Sequence, residues 1–313
     1  MARIAPGTFA HVIRQFIKWM DTQNYAASTK EKWQRELYLA EEEGGLGGCS
    51  VQVIRPSLIQ AFLDALAQTP GKQEVAKTAL KALEKFAVVR DLVPHPFMTG
   101  VSTVGSEGGH EPWPDSYVDL AVKHLREDLS RAVTLAVNTG QRGSDTVRMG
   151  PTDIEEKLCP TTGIWRRGIN VIQQKTGRRL WVPFISPDFE ATLATWTRRP
   201  GPFILKPKGT PYSREELSAR WTKYRDTIPE LASLKEAGLV LHGLRSTAVV
   251  RARKRGLSVL QISNIYGMSE PMVARYSRLA DQGDMAMAAV HFLDRTGPVQ
   301  QAGNNPNVTH LKR

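Results

Sequence analysis

Four short stretches in the second half of the chain bring together residue types that bind and transform an anion. In Asn138-Thr139-Gly140-Gln141-Arg142-Gly143-Ser144-Asp145 an arginine follows a glycine turn and opens a short helix expected over 142–149, where free backbone N–H groups also favour anions. Lys175 sits in a Lys-Thr-Gly turn between two expected strands, 164–174 and 179–184, a rigid support for an ammonium group. His242-Gly243-Leu244-Arg245 sets a histidine and an arginine three apart at a helix start, so both can face one ligand. Tyr276 follows about thirty residues later, in Ala274-Arg275-Tyr276-Ser277-Arg278. Other routes to phosphate chemistry are missing: there is no Gly-rich loop ending in Lys-Ser/Thr, no paired-aspartate signature for two metals and no His-Glu-x-x-His helix. A chain that breaks phosphodiesters with this set must offset the developing charge with side-chain cations. Arginine suits that task, because its planar fork donates to two phosphate oxygens and stays charged at working pH.

The ordered set resembles the tyrosine recombinases, the phage-integrase type of DNA strand-exchange enzyme. Thr139 to Asp145 is similar to the family's first arginine box, Lys175-Thr176-Gly177 to its hairpin lysine turn, His242 to Arg245 to its His-x-x-Arg box, and Arg275-Tyr276 to its nucleophile box. By motif the resemblance covers 116 to about 290; residues 8–92 match the family's core-binding domain by size and helicity only. It implies catalytic residues Arg142, Lys175, His242, Arg245 and Tyr276. Tyr276 would attack the scissile phosphate to give a 3′-phosphotyrosyl intermediate, Arg142 and Arg245 would clamp the non-bridging oxygens, Lys175 would be the general acid and His242 the general base. Asp145, three after Arg142, matches the supporting acidic position. The implied partners are double-stranded DNA attachment sites, a homotetramer on synapsed DNA and accessory DNA-bending or excision factors. No cofactor and no metal is expected.

One position departs from the family pattern. Aligned on Gly-x-Ser, Met268 of Tyr266-Gly267-Met268-Ser269 stands where the family has His or Trp, and methionine cannot donate a hydrogen bond to a phosphate oxygen. Tyr266 is a rival nucleophile on paper, but its apolar register with Ile262 and Ile265 reads as core. Two other activities fit parts of the pattern: a type IB topoisomerase, which uses a similar residue set, and a DNA-binding regulator of the same fold that has lost activity.

The elements that must hold these residues divide the chain. Its 313 residues carry 42 Lys+Arg against 31 Asp+Glu, a net charge of +11. Up to Gly109 there are 12 basic and 11 acidic residues, which leaves 30 and 20 beyond it; the excess lies downstream and points to nucleic acid. Gly163–Lys208 holds nine Lys/Arg against Asp188 and Glu190, and Arg245–Arg278 holds seven against Glu270. Before the expected linker the pattern is helical. Thr8 can cap a helix whose Phe9, Val12, Ile13, Phe16, Ile17 and Met20 share one face. Ser28 with Glu31 suggests a capping box for a second, and two more follow from Ser57 and about Lys72 to Leu92. The expected organisation is a helical core-binding domain at 1–99, a Gly/Pro-rich linker at 100–114, a catalytic domain at 115–296 and a flexible tail at 297–313. The fold class is mainly α with a small β-sheet, a helical domain plus a mixed α/β catalytic domain forming a C-shaped clamp. Cys49 and Cys159 have no nearby Cys or His partner, so neither a disulfide framework nor a zinc site is suggested. No apolar run approaches the roughly 20 residues that cross a bilayer. A cytoplasmic, nucleoid-associated bacterial protein is expected.

Overall fold

The computed structural model describes residues 4–42, 44–105, 110–196 and 200–278, together with Ala286 and Val290. Apart from those two positions, the helix expected near Met285 to Leu293 lies outside the described residues, as does the tail from Gly297. The chain divides into two compact units, Met1–Glu107 and Gly108–Arg313.

The first unit is helical: α1 (Phe9–Asp21), α2 (Ala27–Glu42), α3 (Pro56–Ala65) and α4 (Pro70–Val88). The Thr8 side chain accepts a hydrogen bond from the His11 amide and so caps α1, while Phe9, Val12, Ile13, Phe16, Ile17 and Met20 are all buried. Helix α2 starts one residue ahead of Ser28, so the expected capping box does not open it, and α4 stops at Val88 rather than near Leu92. Phe16 lies between Trp19, Trp33 and Phe86, with ring centroids 5.5 to 6.4 Å away, and these aromatics hold α1, α2 and α4 together.

The second unit contains α5 (Asp115–His124), α6 (Glu127–Thr139), the single turn α7 (Gly143–Thr146), β1 (Ile154–Leu158), β2 (Trp165–Ile172), β3 (Arg179–Pro183), α8 (Pro187–Thr195), α9 (Arg214–Thr227), α10 (Ala232–Glu236), α11 (Gly243–Lys254), α12 (Val259–Tyr266) and α13 (Glu270–Ser277). The strands form one antiparallel sheet in the order β1-β2-β3, with Ile172 opposite Arg179 at the hairpin end. Sequence pattern supplies β2 and β3 but not β1, which is exposed along nearly its whole length and so lacks a buried alternation. Buried Leu129, Val133, Ile169, Val182, Leu244 and Ile262 belong to one core that joins the sheet to α6, α11 and α12.

The segment expected as one linker is shared out. Ser102 and Val104 donate their backbone N–H groups to Gln60 and Gln73 of the first unit, at 2.9 Å each. Trp113 donates its backbone N–H to Thr247 Oγ1 at 2.7 Å and its indole N–H to the Val240 carbonyl at 2.9 Å, both in the second unit.

Candidate active site

The site grows from four local features of the second unit. Helix α6 ends at Gly140 with φ +61°; a Cβ there would meet the Tyr266 ring at 2.8 Å, so the turn needs glycine twice over. That turn delivers Arg142, the N-cap residue of α7. Asp145, buried within α7, accepts the Gln174 backbone N–H at 2.8 Å and thereby fixes the arginine turn to the hairpin turn that carries Lys175. His242 caps α11, Arg245 lies in its first turn, and α13, packed against α11 and α12, supplies Tyr276.

Arg245 is only 1 % exposed, yet no carboxylate pairs with it among the described residues. Its Nη1 donates to the Gly140 carbonyl, which ties the two arginine segments together. Its Nη2 is buried without a hydrogen-bond partner, and so is Nη1 of Arg142. Burial, then the charge of Arg142, pushes the Arg245 guanidinium down to about 10, while Tyr276 and Asp145 oppose that shift. It remains a cation at neutral pH. His242 is pushed down to about 4, first by burial and then by the positive charge of His110, Arg245, Arg214 and Arg142. A neutral imidazole able to accept a proton therefore stands among three guanidinium groups. Tyr276 is buried, and its hydroxyl makes no hydrogen bond among the described residues.

The structure thus brings Arg142, Asp145, His242 and Tyr276 within electrostatic reach of Arg245. Lys175 stands apart: it is exposed at the tip between β2 and β3, and no hydrogen bond or ion pair holds its ammonium among the described residues. Met268 is 2 % exposed and belongs to the apolar core. Tyr266 is buried and its hydroxyl is pushed up to about 12 by burial, so it is a poor source of phenolate.

Sequence reasoning missed four contributors. Gln173 Nε2 donates to Gln141 Oε1 at 2.8 Å and to the Tyr266 carbonyl at 3.0 Å, and both glutamines are buried. This node joins the arginine turn, the end of β2 and the end of α12. The only local signal is position: Gln141 lies inside the arginine box and Gln173 stands two residues before Lys175. Arg214, at the start of α9, reaches the Arg142 turn with its Cγ 3.6 Å from a Cβ placed on Gly143. His110 lies with its ring 5.1 Å from that of His242, edge to face.

Comparison with solved structures bears on the fold. A lambda integrase tetramer bound to a Holliday junction superposes with a TM-score of 0.68 at 19% identity, covering 88% of this chain and 77% of that one. The fold is that of the tyrosine recombinases. A lambda integrase fragment, as a dimer on a COC′ core site, matches with a TM-score of 0.68 at 19% identity over 88% of this chain and 96% of that one. The integrase of transposon Tn1549, in complex with transposon right end DNA, matches with a TM-score of 0.65 at 14% identity over 92% and 99%. No protein-family model matches the sequence, and no curated protein matches it. The tyrosine recombinase fold therefore shows in the shape of the chain, at identities too low for sequence comparison.

Proposed function

We propose that the chain is a tyrosine-type site-specific DNA recombinase that integrates or excises a mobile element. The observation that carries this reading is the pairing of half-buried Arg142 with buried Arg245, each with one enclosed N–H group unpartnered, beside a neutral His242 and a buried Tyr276. Buried donors without partners are costly in a free protein, and a bound phosphate supplies their acceptors.

Strand cleavage follows from the arrangement. Tyr276 Oη forms a bond to the scissile phosphorus as the bond from phosphorus to O5′ breaks. The phenolic proton passes to His242, and Lys175 gives a proton to the leaving 5′-oxygen once DNA meets the hairpin tip. Arg142 and Arg245 hold the two non-bridging oxygens, where charge builds in the transition state. The product is a 3′-phosphotyrosyl DNA with a free 5′-hydroxyl. Attack by another 5′-hydroxyl reverses the step on a new strand, so the phosphodiester energy is conserved and neither ATP nor metal enters. Asp145 and the Gln141–Gln173 node keep the arginine and lysine turns in register.

The first unit serves as the core-binding domain over 1–99 and the second as the catalytic domain over 115–296, with double-stranded attachment sites as substrate and a homotetramer as the synaptic form. Incubation with a nicked suicide duplex, cut from direct repeats flanking the gene, tests the reading. A covalent adduct resistant to denaturant and sensitive to protease is the expected result. DNA binding without any adduct would instead mark a non-catalytic regulator, and relaxation of supercoiled DNA lacking a specific site would mark a topoisomerase.

A further inference from the structure

We propose that His110 is a further phosphate-binding residue of this site, its imidazole N–H donating to the same DNA phosphate that Arg142 and Arg245 clamp. The inference deepens the recombinase reading and rests on it.

The position of His110 is built, although it lies in a segment of Gly and Pro that sequence reads as linker. The His110 carbonyl accepts a hydrogen bond from Ser246 Oγ at 2.9 Å, one residue beyond Arg245. Three residues on, Trp113 is fixed to Thr247 and Val240. Between them the Glu111 carbonyl lies so close to Gly243 that any side chain there would collide with it. Residues 110–113 are therefore laid along the start of α11, the helix that presents His242 and Arg245. Gly243, in the middle of the His-x-x-Arg motif, is the residue that permits this approach.

The His110 ring is itself exposed, and no hydrogen bond occupies its nitrogens among the described residues. It packs edge to face on His242 at 5.1 Å, which puts a second imidazole beside three guanidiniums and a single buried carboxylate. A cationic or donor group persists in such company where an anion is to be bound, since like charges otherwise repel. The depressed proton affinity of His242 records its burial first and then the charge gathered there. Met268 contributes no donor to the set.

Two measurements on the full-length protein decide the matter. In single-turnover cleavage of the suicide duplex, His110→Ala is expected to slow adduct formation by roughly 10²-fold, with DNA affinity changed by less than about threefold. His110→Gln, which keeps an N–H donor, restores most of that rate. A His110→Ala protein that cleaves at the wild-type rate would overturn the inference, as would a His110→Gln protein as slow as the alanine variant. The second measurement needs no cleavage: NMR of the histidine rings during titration with inorganic phosphate, with His110 assigned by its loss in His110→Ala. His110 and His242 are expected to shift together, and an unmoved His110 overturns the inference. Absence of adduct from the wild type sinks the recombinase reading, while the ring titration still decides whether His110 meets phosphate.

Discussion

The two units treat their arginines differently. In the first, where basic and acidic residues nearly balance, Arg14 meets Glu41 at 2.7 Å and lies over the Tyr38 ring, and Arg35 meets Glu36 at 2.9 Å. Away from the site the second unit follows the same habit, with Arg167 on Glu190 and Arg251 on Asp115. At the site the habit stops. Among the described residues Arg142 and Arg245 meet no carboxylate, and Asp145, enclosed beside them, spends an oxygen on the Gln174 backbone. Pairing serves stability where a charge has only to be tolerated; leaving it out reserves the donors for something that arrives later.

The most severe way to break the contrast is at the proposed nucleophile. Tyr276→Phe removes one oxygen and little volume, so adduct formation on the suicide duplex is expected to vanish while DNA affinity and melting temperature hold. An adduct that survives there and disappears in Tyr266→Phe would move the nucleophile ten residues upstream. Next come the unpaired arginines. Arg142→Ala and Arg245→Ala are each expected to slow single-turnover cleavage by roughly 10²- to 10³-fold, the scale of losing a preorganised donor from a developing charge. Met268→His places a donor in a position that the structure uses for packing, and should alter the cleavage rate by less than about tenfold, or about 1.4 kcal/mol of barrier. A gain of 10²-fold or more would show that a phosphate contact is missing there.

The charge gathered around His242 can be read without DNA. In the unfolded chain histidine titrates near 6.5; in the folded protein His242 does so near 4, held down by burial and by His110, Arg245, Arg214 and Arg142. Between those values the unfolded chain binds the extra proton, so stability falls as pH drops from about 6.5 to about 4. Denaturant titrations of wild type and His242→Gln should diverge across that window, with the shallower pH dependence in the variant; parallel curves would contradict the crowding of charge at His242. The smallest effect belongs to the balanced unit. Arg14→Ala is expected to leave cleavage untouched and to cost on the order of 1 to 2 kcal/mol by chemical denaturation, because the pair is part-buried and Glu41 would lose its partner.

How far the sequence could be read follows the range of the contacts. The face of α1 and the hairpin of β2 and β3 are written in local periodicity, and the types and order of Arg142, His242, Arg245 and Tyr276 carried their grouping. Exposed β1 left no alternation to find. The Gln141–Gln173 node links residues 32 positions apart through buried amides, a pairing with no trace in either segment alone. His110 was hidden for a different reason: Gly and Pro around it announce irregular chain, and irregular chain says nothing about whether its backbone is pinned. Arg214 carries no local mark, because the residue that it meets across the site, Gly143, is 71 positions away.

Arginines that fold without their counter-charge make folding and ligand occupancy two parts of one equilibrium. The free second unit holds Arg142 and Arg245 against mutual repulsion, and any small oxyanion that reaches them relieves it. Melting temperature then becomes a gauge of occupancy: sulfate or phosphate at about 100 times its dissociation constant adds about 2.7 kcal/mol to the folded state. On the recombinase reading the same salts screen the long-range attraction that would draw DNA in. On that reading the anion that best protects the resting protein from heat competes for the place of the DNA phosphate, and storage conditions that favour the fold work against engagement.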